Sequence, residues 1–260
     1  MHDDLLYGLS EVGLIALLFG AMAIACFGFA PYIGQKLGWT VPNNDRADYI
    51  IRAQATLIAV TGMVLAFSLV QAQGNIRRAE ELVAKEASII NTLDRLLLRY
   101  GEQGAALRPL LRSYTTSVIE DEWPALRDGQ SSPACSARLT SLSDAVYQLD
   151  PQTGRQVTMY GEMIKSLDEM ADEREHRISA ANLKLHPGFW MITFLLGLIL
   201  VALSTAIEAV GYHTASIAAQ GLALALLAAL VFSSDRPFKG NISVSPAPIV
   251  KALAAMSART

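Results

Sequence analysis

The sequence predicts an all-α, polytopic membrane protein with four transmembrane helices and a cytoplasmic helical bundle. Of its 260 residues, 52% are hydrophobic and only 17% are charged, whereas about a quarter of the residues in a soluble domain are charged. Four separate stretches approach the length of about 20 apolar residues that a helix needs to cross a hydrocarbon core. A polar segment between the second and third stretches has apolar residues at helical spacing.

The four apolar stretches define the predicted membrane spans. The last two spans are separated only by Gly211, Tyr212 and His213, which predicts a tight antiparallel hairpin. The chain begins with acidic residues and no Lys or Arg, so we expect the first span to be retained as an anchor rather than cleaved as a signal peptide. The predicted spans are residues 12–32, 53–72, 189–210 and 214–232.

The distribution of Lys and Arg predicts the orientation in the membrane, because basic residues near span ends stay in the cytoplasm. Basic residues flank the polar segment and follow the fourth span. The loop between the first two spans carries only Lys36, Arg46 and Arg52. Both termini and the polar segment are therefore expected in the cytoplasm.

Four parts of the chain follow from this layout. Only Gly74 interrupts the pattern after the second span, so the second transmembrane helix is expected to continue into the cytoplasm until Gly101 and Gly104. Further bundle helices are expected at about 105–127, from Ser132 and Pro133 to about 149, and at about 152–185. The parts are the first two membrane helices at 1–72, the bundle at 73–188, the hairpin at 189–232, and a turn with a short C-terminal helix at 233–260.

Charged residues of the bundle are interpreted as solvated helix faces, since both signs are interspersed along the chain. Asp94 and the run "DEMADERE" at 168–175 fall under this interpretation. Arg174 interrupts the apolar stripe of the last bundle helix. That predicted stripe consists of Val157, Tyr160, Ile164, Leu167, Ala171, Ile178, Ala181 and Leu185.

A polar row on the second span is the candidate pore lining. Gln54, Thr61 and Ser68 lie seven residues apart, and a polar row in lipid is unfavourable unless it faces protein or water. One interpretation is an aqueous path in which Ile58 and Leu65 form apolar constrictions. The other is hydrogen bonding to a neighbouring helix, and the spacing leaves both open. The candidate residues are Gln54, Ile58, Thr61, Leu65, Ser68 and Gln71.

Other polar residues give little sign of chemistry. Glu208 is the only ionisable residue deep in the apolar runs, with His213 five residues on; the pair could supply a vestibule charge or reach interfacial water. Cys26 and Cys135 lack a nearby ligand set, so neither a disulfide nor a metal site is expected. No phosphate loop or catalytic constellation is present, so we expect neither an enzyme nor a cofactor. A net charge of −3 gives no reason to expect a nucleic-acid partner.

The segment "DRPFKGNISVSP" after the fourth span predicts a turn at the cytoplasmic surface. Asp235 is expected to enter water, Pro237 to stop the helix, and Gly240 to permit a sharp reversal. Phe238 is expected to bury against the long helix that continues the second span. Ser245 is a good N-cap for a short amphipathic helix, with a proline at its first position.

Two stretches resemble the bacterial bestrophin-like domain family, and more distantly the bestrophins. They are "AFSLVQAQGNIRRAEELVAKEASIINTLDRLLLR" and "DRPFKGNISVSPAPIVKAL"; the second is the closer match. The resemblance implies a bestrophin-like fold in a bacterial inner membrane, with cytoplasmic termini. It also implies a homo-oligomeric ion channel, a pentamer, whose second helix lines the pore.

Two departures limit what the resemblance implies. Phe67 is the only aromatic residue of the second span, so the aromatic neck of the bestrophins is not expected here. The bestrophins have an acidic calcium clasp, which is reduced here to Asp235 beside Arg236. We therefore do not expect calcium to gate this protein. We expect an ion channel of undetermined selectivity, with copies of itself, the bilayer and inorganic ions as partners. The alternative is a non-conducting membrane-anchored scaffold or sensor with a cytoplasmic protein partner.

Overall fold

The computed structural model describes residues 45–205, 211–240 and 242–259, together with Gly13, Tyr32, Lys36 and Gly38. All regular structure in these residues is helical. The predicted first span lies almost entirely outside them. The chain divides into two compact units, which we name the membrane unit (Met1–Gly74, Lys184–Asp235 and Gly240–Ile242) and the bundle unit (Asn75–Leu183, Arg236–Lys239 and Ser243–Thr260).

One helix of 56 residues, α1 (Asp45–Tyr100), contributes to both units. It contains no proline, and its apolar stripe runs on beyond the second predicted span. The helix ends at Gly101, whose φ of 118° lies in a region that favours glycine. This confirms that the helix of the second span continues until Gly101.

Short helices and two capped helices follow α1 in the bundle unit. Ser132 caps α5, its hydroxyl accepting a hydrogen bond from the backbone N–H of Cys135, and Thr153 forms a capping box with Gln156 at the start of α6. The helices are α2 (Glu102–Ala105), α3 (Arg108–Ser117), a π-helix (Val118–Glu122), α4 (Trp123–Leu126), α5 (Pro133–Tyr147), α6 (Gly154–Ala181) and, near the C-terminus, α9 (Ala247–Ala258).

The single helix predicted at about 105–127 is interrupted. A π-helical turn separates α3 from α4, and Pro124, the second residue of α4, has no N–H to donate to the preceding turn. The break therefore lies next to Pro124.

The apolar core of the bundle unit includes a stripe on α1 and part of the stripe predicted on α6. On α1, Val83, Ile90 and Leu97 lie seven residues apart and are fully buried. On α6, Val157 and Ala171 of the predicted stripe are exposed. The buried residues of α6 are instead Met163, Ser166, Leu167, Met170, Glu173, Arg174, Arg177, Ala180 and Ala181. Leu167 and Ala181 belong to the predicted stripe and are buried, so the prediction for α6 holds in part; the buried face also includes Glu173, Arg174 and Arg177.

The membrane unit combines the first part of α1 with α7 (Pro187–Thr205) and α8 (Gly211–Ser234). Its described core is small and aliphatic, consisting of Leu65, Leu185, Leu200, Leu224 and Val231. Two segments of the described chain, Asp48–Tyr100 and Pro187–Ser204, are long and apolar enough to cross a membrane. Residues Ala219–Ser234 of α8 form a shorter apolar helix.

The segment after α8 corrects two expectations. Asp235 is buried rather than in water, and its carboxylate accepts a hydrogen bond of 2.6 Å from the backbone N–H of Leu185. Phe238 is buried, but its ring packs edge-on against Trp123 of α4, with centroids 5.5 Å apart.

A backbone hydrogen bond closes the turn. The N–H of Val244 donates to the carbonyl of Pro237 over 2.8 Å, and Gly240 has a φ of 97°, which a residue with a Cβ rarely adopts. Ser245 then accepts a hydrogen bond from the N–H of Ala247, the first residue of α9.

Candidate pore helix and buried charge cluster

Most of the predicted pore lining is buried inside the membrane unit. Gln54, Thr61, Leu65 and Ser68 expose 5%, 3%, 1% and 7% of their surface. Ile58 is half-buried and packs on the aliphatic core. Gln71 is the one exposed member of the six.

The polar atoms of this row are satisfied within the chain. The Gln54 side-chain amide donates to the Ser204 hydroxyl over 3.1 Å. The hydroxyl of Thr61 donates to the carbonyl of Leu57 over 2.8 Å, and that of Ser68 to the carbonyl of Val64 over 3.0 Å. Only the Gln54 bond reaches a neighbouring helix, since Thr61 and Ser68 bond to carbonyls of α1 itself. The burial of this row favours contact within the chain, and its role as a pore lining stays a prediction.

The structure describes the predicted constrictions but not the predicted vestibule charges. Leu65 is a core residue of the membrane unit and Ile58 packs against that core; their role as constrictions stays a prediction. Glu208 and the side chain of His213 lie outside the described residues. A cavity of about 20 Å³ beside Gln54 and Ser204 has room for one water molecule but not for an ion path.

The opposite face of α1 is exposed. Each helical residue turns the chain by roughly 100°, so Met63 lies roughly 200° from Thr61. Met63, Phe67 and Val70 expose 61%, 70% and 69% of their surface. Sequence reasoning missed this face because its residues are apolar, although Thr56, Met63 and Val70 repeat the same seven-residue spacing.

The exposed faces of α1 and α7 differ in the size of their side chains. In the membrane unit, α1 exposes several small residues between its larger ones: Ala53, Ala55, Ala59, Ala66 and Gly74. The exposed residues of α7 include Met191, Ile192, Phe194, Leu195, Leu198 and Ile199. Small residues allow helices to approach closely in membranes. The composition therefore favours protein beside the exposed face of α1 and lipid beside that of α7.

Four charged side chains form a cluster in the interior of the bundle unit. Arg177 is fully buried and donates to the Glu86 carboxylate and to the Glu122 carboxylate, each over 2.7 Å. Arg174 pairs with Glu122 through two nitrogen atoms. The two acids and two bases balance, which is the condition under which buried charges are tolerated.

The π-helix explains how Glu122 reaches this interior. It lies between α3 and α4 and ends at Glu122, where the widened turn changes the facing of successive side chains. Glu120 and Asp121 of the same turn are exposed, whereas Glu122 is fully buried. No local sequence pattern predicts such a turn.

The pKa shifts in and around the cluster keep Glu122 ionised and its neighbours Tyr114 and Cys135 protonated. Burial raises the pKa of Glu122, but the charges and hydrogen bonds of Arg177 and Arg174 outweigh burial, so the pKa is lowered overall. Burial and then Glu86 hold the pKa of Tyr114 well above its usual value. Burial, with Glu122 nearby, raises the pKa of Cys135 to about 11, so its thiol is protonated and unreactive near neutral pH.

A second buried charge group joins α1 to the C-terminal helix. Asp94 is fully buried, contrary to its interpretation as a surface charge, and accepts hydrogen bonds of 2.8 Å from both Arg108 and Arg259. Arg108 and Arg112 also donate to the carbonyl of Met256 near the end of α9. These contacts hold α9 on the bundle.

Neither charge group has the makings of a reactive or metal site. No group of three His, Cys, Asp or Glu side chains in the described part of the chain could hold a metal ion. The carboxylates of Glu86, Glu122 and Asp94 are each engaged by arginine. Both groups connect helices of the bundle unit, and we take the candidate functional surface from the membrane unit.

Comparison with known proteins identifies the family. The sequence model of the Bestrophin-like domain matches residues 43–249, which is most of the chain. The chain belongs to the Bestrophin-like domain family. This Bestrophin-like match covers α1, α7, α8 and the turn around Asp235. None of the curated proteins compared with the chain matches it significantly.

Solved structures share the bestrophin-like fold. A crystal structure of a bacterial bestrophin homologue from Klebsiella pneumoniae matches with a TM-score of 0.67 and 15% sequence identity, over 95% of this chain and 98% of that one. A variant of that homologue with one isoleucine replaced by threonine matches with a TM-score of 0.66 and 16% identity, over 95% and 99% of the two chains. Since bestrophins are ion channels, membership of the Bestrophin-like family supports a membrane channel at the level of the family.

Proposed function

We propose that the protein is a homo-oligomeric ion channel in which copies of α1 surround the pore with their exposed face. Membership of the Bestrophin-like family supports a channel. The observation that carries the choice of face is the 61% exposure of Met63 opposite the buried Gln54, Thr61 and Ser68. The burial of that row favours the exposed face over the row predicted from the sequence.

Conduction requires assembly. Among the described residues of one membrane unit, the interior is filled by aliphatic packing and by short hydrogen bonds, with a cavity of about 90 Å³ beside Thr61 and Leu65. That cavity is too small for a hydrated ion path through the unit. A path must therefore form between copies, where side chains of α1 that are exposed in one chain would face one another.

The remaining features of the proposal rest on the family resemblance. The assembly is a pentamer in the bacterial inner membrane, and each subunit crosses the membrane four times with both termini in the cytoplasm. The apolar members of the exposed face, Val60, Met63, Phe67 and Val70, form a constriction that water wets poorly, which is how apolar rings gate other pores.

A pair of matched methionines tests the choice of helix. Met63 on α1 and Met191 on α7 expose 61% and 60% of their surface in the single chain. Met63→Ala should change the ion flux through liposomes that hold the purified protein, because it widens the constriction. Met191→Ala should leave the flux unchanged, because its side chain meets lipid.

The controls are the oligomeric state and empty vesicles. Both variants should form a ring of the same subunit number as the parent protein, measured by native mass spectrometry. A parent protein that conducts no better than empty vesicles would refute the channel and favour the scaffold. Equal effects of the two substitutions would refute α1 as the pore helix.

A further inference from the structure

The membrane unit contains a cavity between α1, α7 and α8. Its volume is about 90 Å³, and it is partly open to its surroundings. Small side chains form much of its wall, because α7 and α8 contribute glycine and alanine there. The lining includes Thr61 and Leu65 of α1, Thr193 and Gly197 of α7, and Ala225 and Ala228 of α8.

The cavity offers little to water, although two threonines line it. The hydroxyl of Thr61 donates to the carbonyl of Leu57 over 2.8 Å, and that of Thr193 to the carbonyl of Phe189 over 3.0 Å. The remaining lining residues are glycine, alanine and leucine. A buried water makes about three hydrogen bonds to polar groups that otherwise lack partners. The walls therefore favour an apolar occupant.

The cavity lies near the middle of the apolar helices. Gly197 follows Leu196, the central residue of α7, and Ala225 lies within three residues of the centre of α8. Thr61 is close to the middle of the second predicted span. Each helical residue rises by about 1.5 Å, so these residues lie within about 5 Å of the helix centres. The middle of a hydrocarbon core of about 30 Å is the depth at which lipid acyl chains end.

Gly197 leaves an opening on the side of α7 that favours lipid. It is half-buried, and a Cβ added there would meet no atom within 4 Å. Phe194 and Leu198, its neighbours on the helix, are 66% and 50% exposed. A hydrocarbon chain that lies along α7 can therefore enter the cavity beside Gly197.

We infer that the methyl end of a lipid acyl chain binds in this cavity. The inference does not depend on the proposed function, because it concerns one unit of one chain. An empty void forfeits the dispersion contacts of its walls. An acyl chain restores those contacts and leaves no water behind, since it comes from surroundings as apolar as leucine. An enclosed apolar cavity of about 150 Å³ in a soluble protein likewise binds benzene or xenon.

Photolabelling by a lipid tests the inference. The parent protein is reconstituted in phosphatidylcholine vesicles in which a small fraction of the lipid carries a diazirine at the end of one acyl chain. Mass spectrometry of the digested protein should find label on the buried residues Thr61, Leu65 and Ala225 as well as on the exposed Phe194. Gly197→Leu fills free space at the cavity wall, so it should lower the label on the buried residues severalfold and leave that on Phe194 unchanged.

The matched control is Ala223→Leu. It enlarges an exposed residue of α8 that does not line the cavity, so it should leave the label on all these residues unchanged. Gly197→Ala adds a single methyl group and should give a smaller loss of cavity label than Gly197→Leu. This milder variant keeps the test decisive if circular dichroism shows that Gly197→Leu does not fold.

The outcomes separate the inference from its alternatives. Label confined to exposed residues of the parent protein would overturn it, and so would a cavity label that both Gly197 variants leave unchanged. An equal loss in Ala223→Leu would assign the effect to general packing of α8 and overturn it as well. A cavity that a short free alkyl diazirine labels but the lipid does not would belong to small apolar solutes instead. Labelling requires no ion flux, so this inference and the channel can each fail alone.

Discussion

The interiors of the two units hold polar side chains in different ways. In the membrane unit, Gln54, Thr61 and Ser68 are neutral and form hydrogen bonds within the chain. In the bundle unit, Glu86 and Arg177 are charged, fully buried and joined across 91 positions of sequence. In both units these buried polar side chains have hydrogen-bond partners inside the same chain.

Removal of one charge from the bundle interior should have the largest effect. Arg177→Met leaves Glu86 without a cation, and breaking a buried pair costs about 3–5 kcal/mol. Thermal unfolding of the purified protein, followed by circular dichroism, measures the loss. Arg138→Gln is the matched control, because Arg138 pairs with Asp121 on the surface, where both side chains are at least 40% exposed, and exposed pairs contribute about 0–1 kcal/mol.

A double variant sharpens the same test. Replacing the pair together, by Glu86→Leu with Arg177→Met, removes both charges and should recover part of the lost stability, because no uncompensated charge remains. If the double variant is as unstable as Arg177→Met alone, the charge balance of the cluster is not what stabilises the bundle interior.

The second-largest effect on stability should come from loss of packing in the interior of the membrane unit. Leu65 is 1% exposed and lies in the aliphatic core. Leu65→Ala should destabilise the protein near the lower end of the about 2–5 kcal/mol range for such truncations, since lipid adds no hydrophobic driving force. Val60→Ala, at a position that is 46% exposed, should cost much less. Equal losses at the two positions would contradict the packing of this face inside the unit.

Acid should weaken the bundle through Glu122. The pKa of Glu122 is lowered in the folded chain, so the folded state binds fewer protons than the unfolded state below the ordinary value of about 4.3. The stability that Glu122 contributes is present above that pH and is lost as the pH falls through the lowered pKa.

Glu122→Gln should therefore reduce the dependence of the unfolding temperature on pH across about pH 3 to 5. Glu120→Gln, which changes an exposed residue of the same π-helix, should preserve that dependence. If the unfolding temperature of Glu122→Gln depends on acid pH as strongly as that of the parent protein, other groups control acid unfolding.

Substitution of the buried hydroxyl residues of the membrane unit, Thr61 and Ser68, should have the smallest effect. Ser68→Ala removes a bond to the carbonyl of its own helix, and such side-chain bonds in membranes average only about 0.6 kcal/mol. Ion flux through the Ser68→Ala variant should equal that of the parent protein. A large change in flux would restore this row as a lining and break the contrast with the exposed face.

Sequence reasoning worked where local interactions decide the structure. The stripe of α1, its end at Gly101, and the cap at Ser132 follow from periodicity, backbone freedom and hydrogen bonding over a few residues. These features require no knowledge of distant parts of the chain.

It failed where a partner lies far away in sequence. The buried face of α6 includes Arg174 and Arg177 because Glu122 and Glu86 meet them there, and no local pattern identifies those partners. The two faces of α1 share a seven-residue spacing, so spacing alone could not tell the packed face from the exposed one. The alanines at 53, 55, 59 and 66 were the available signal, since small residues favour contact between helices.

Accessibility of single cysteines on α1 tests the central claim most directly. The background should be Cys26→Ser, with Cys135 retained, because burial and a pKa of about 11 keep that thiol unreactive. A charged, water-soluble thiol reagent is then applied to the conducting protein in a bilayer, with the background protein as control. We expect the reagent to block the current of Met63→Cys and to leave that of Thr61→Cys unchanged. Block at Thr61→Cys with no effect at Met63→Cys would contradict the central claim.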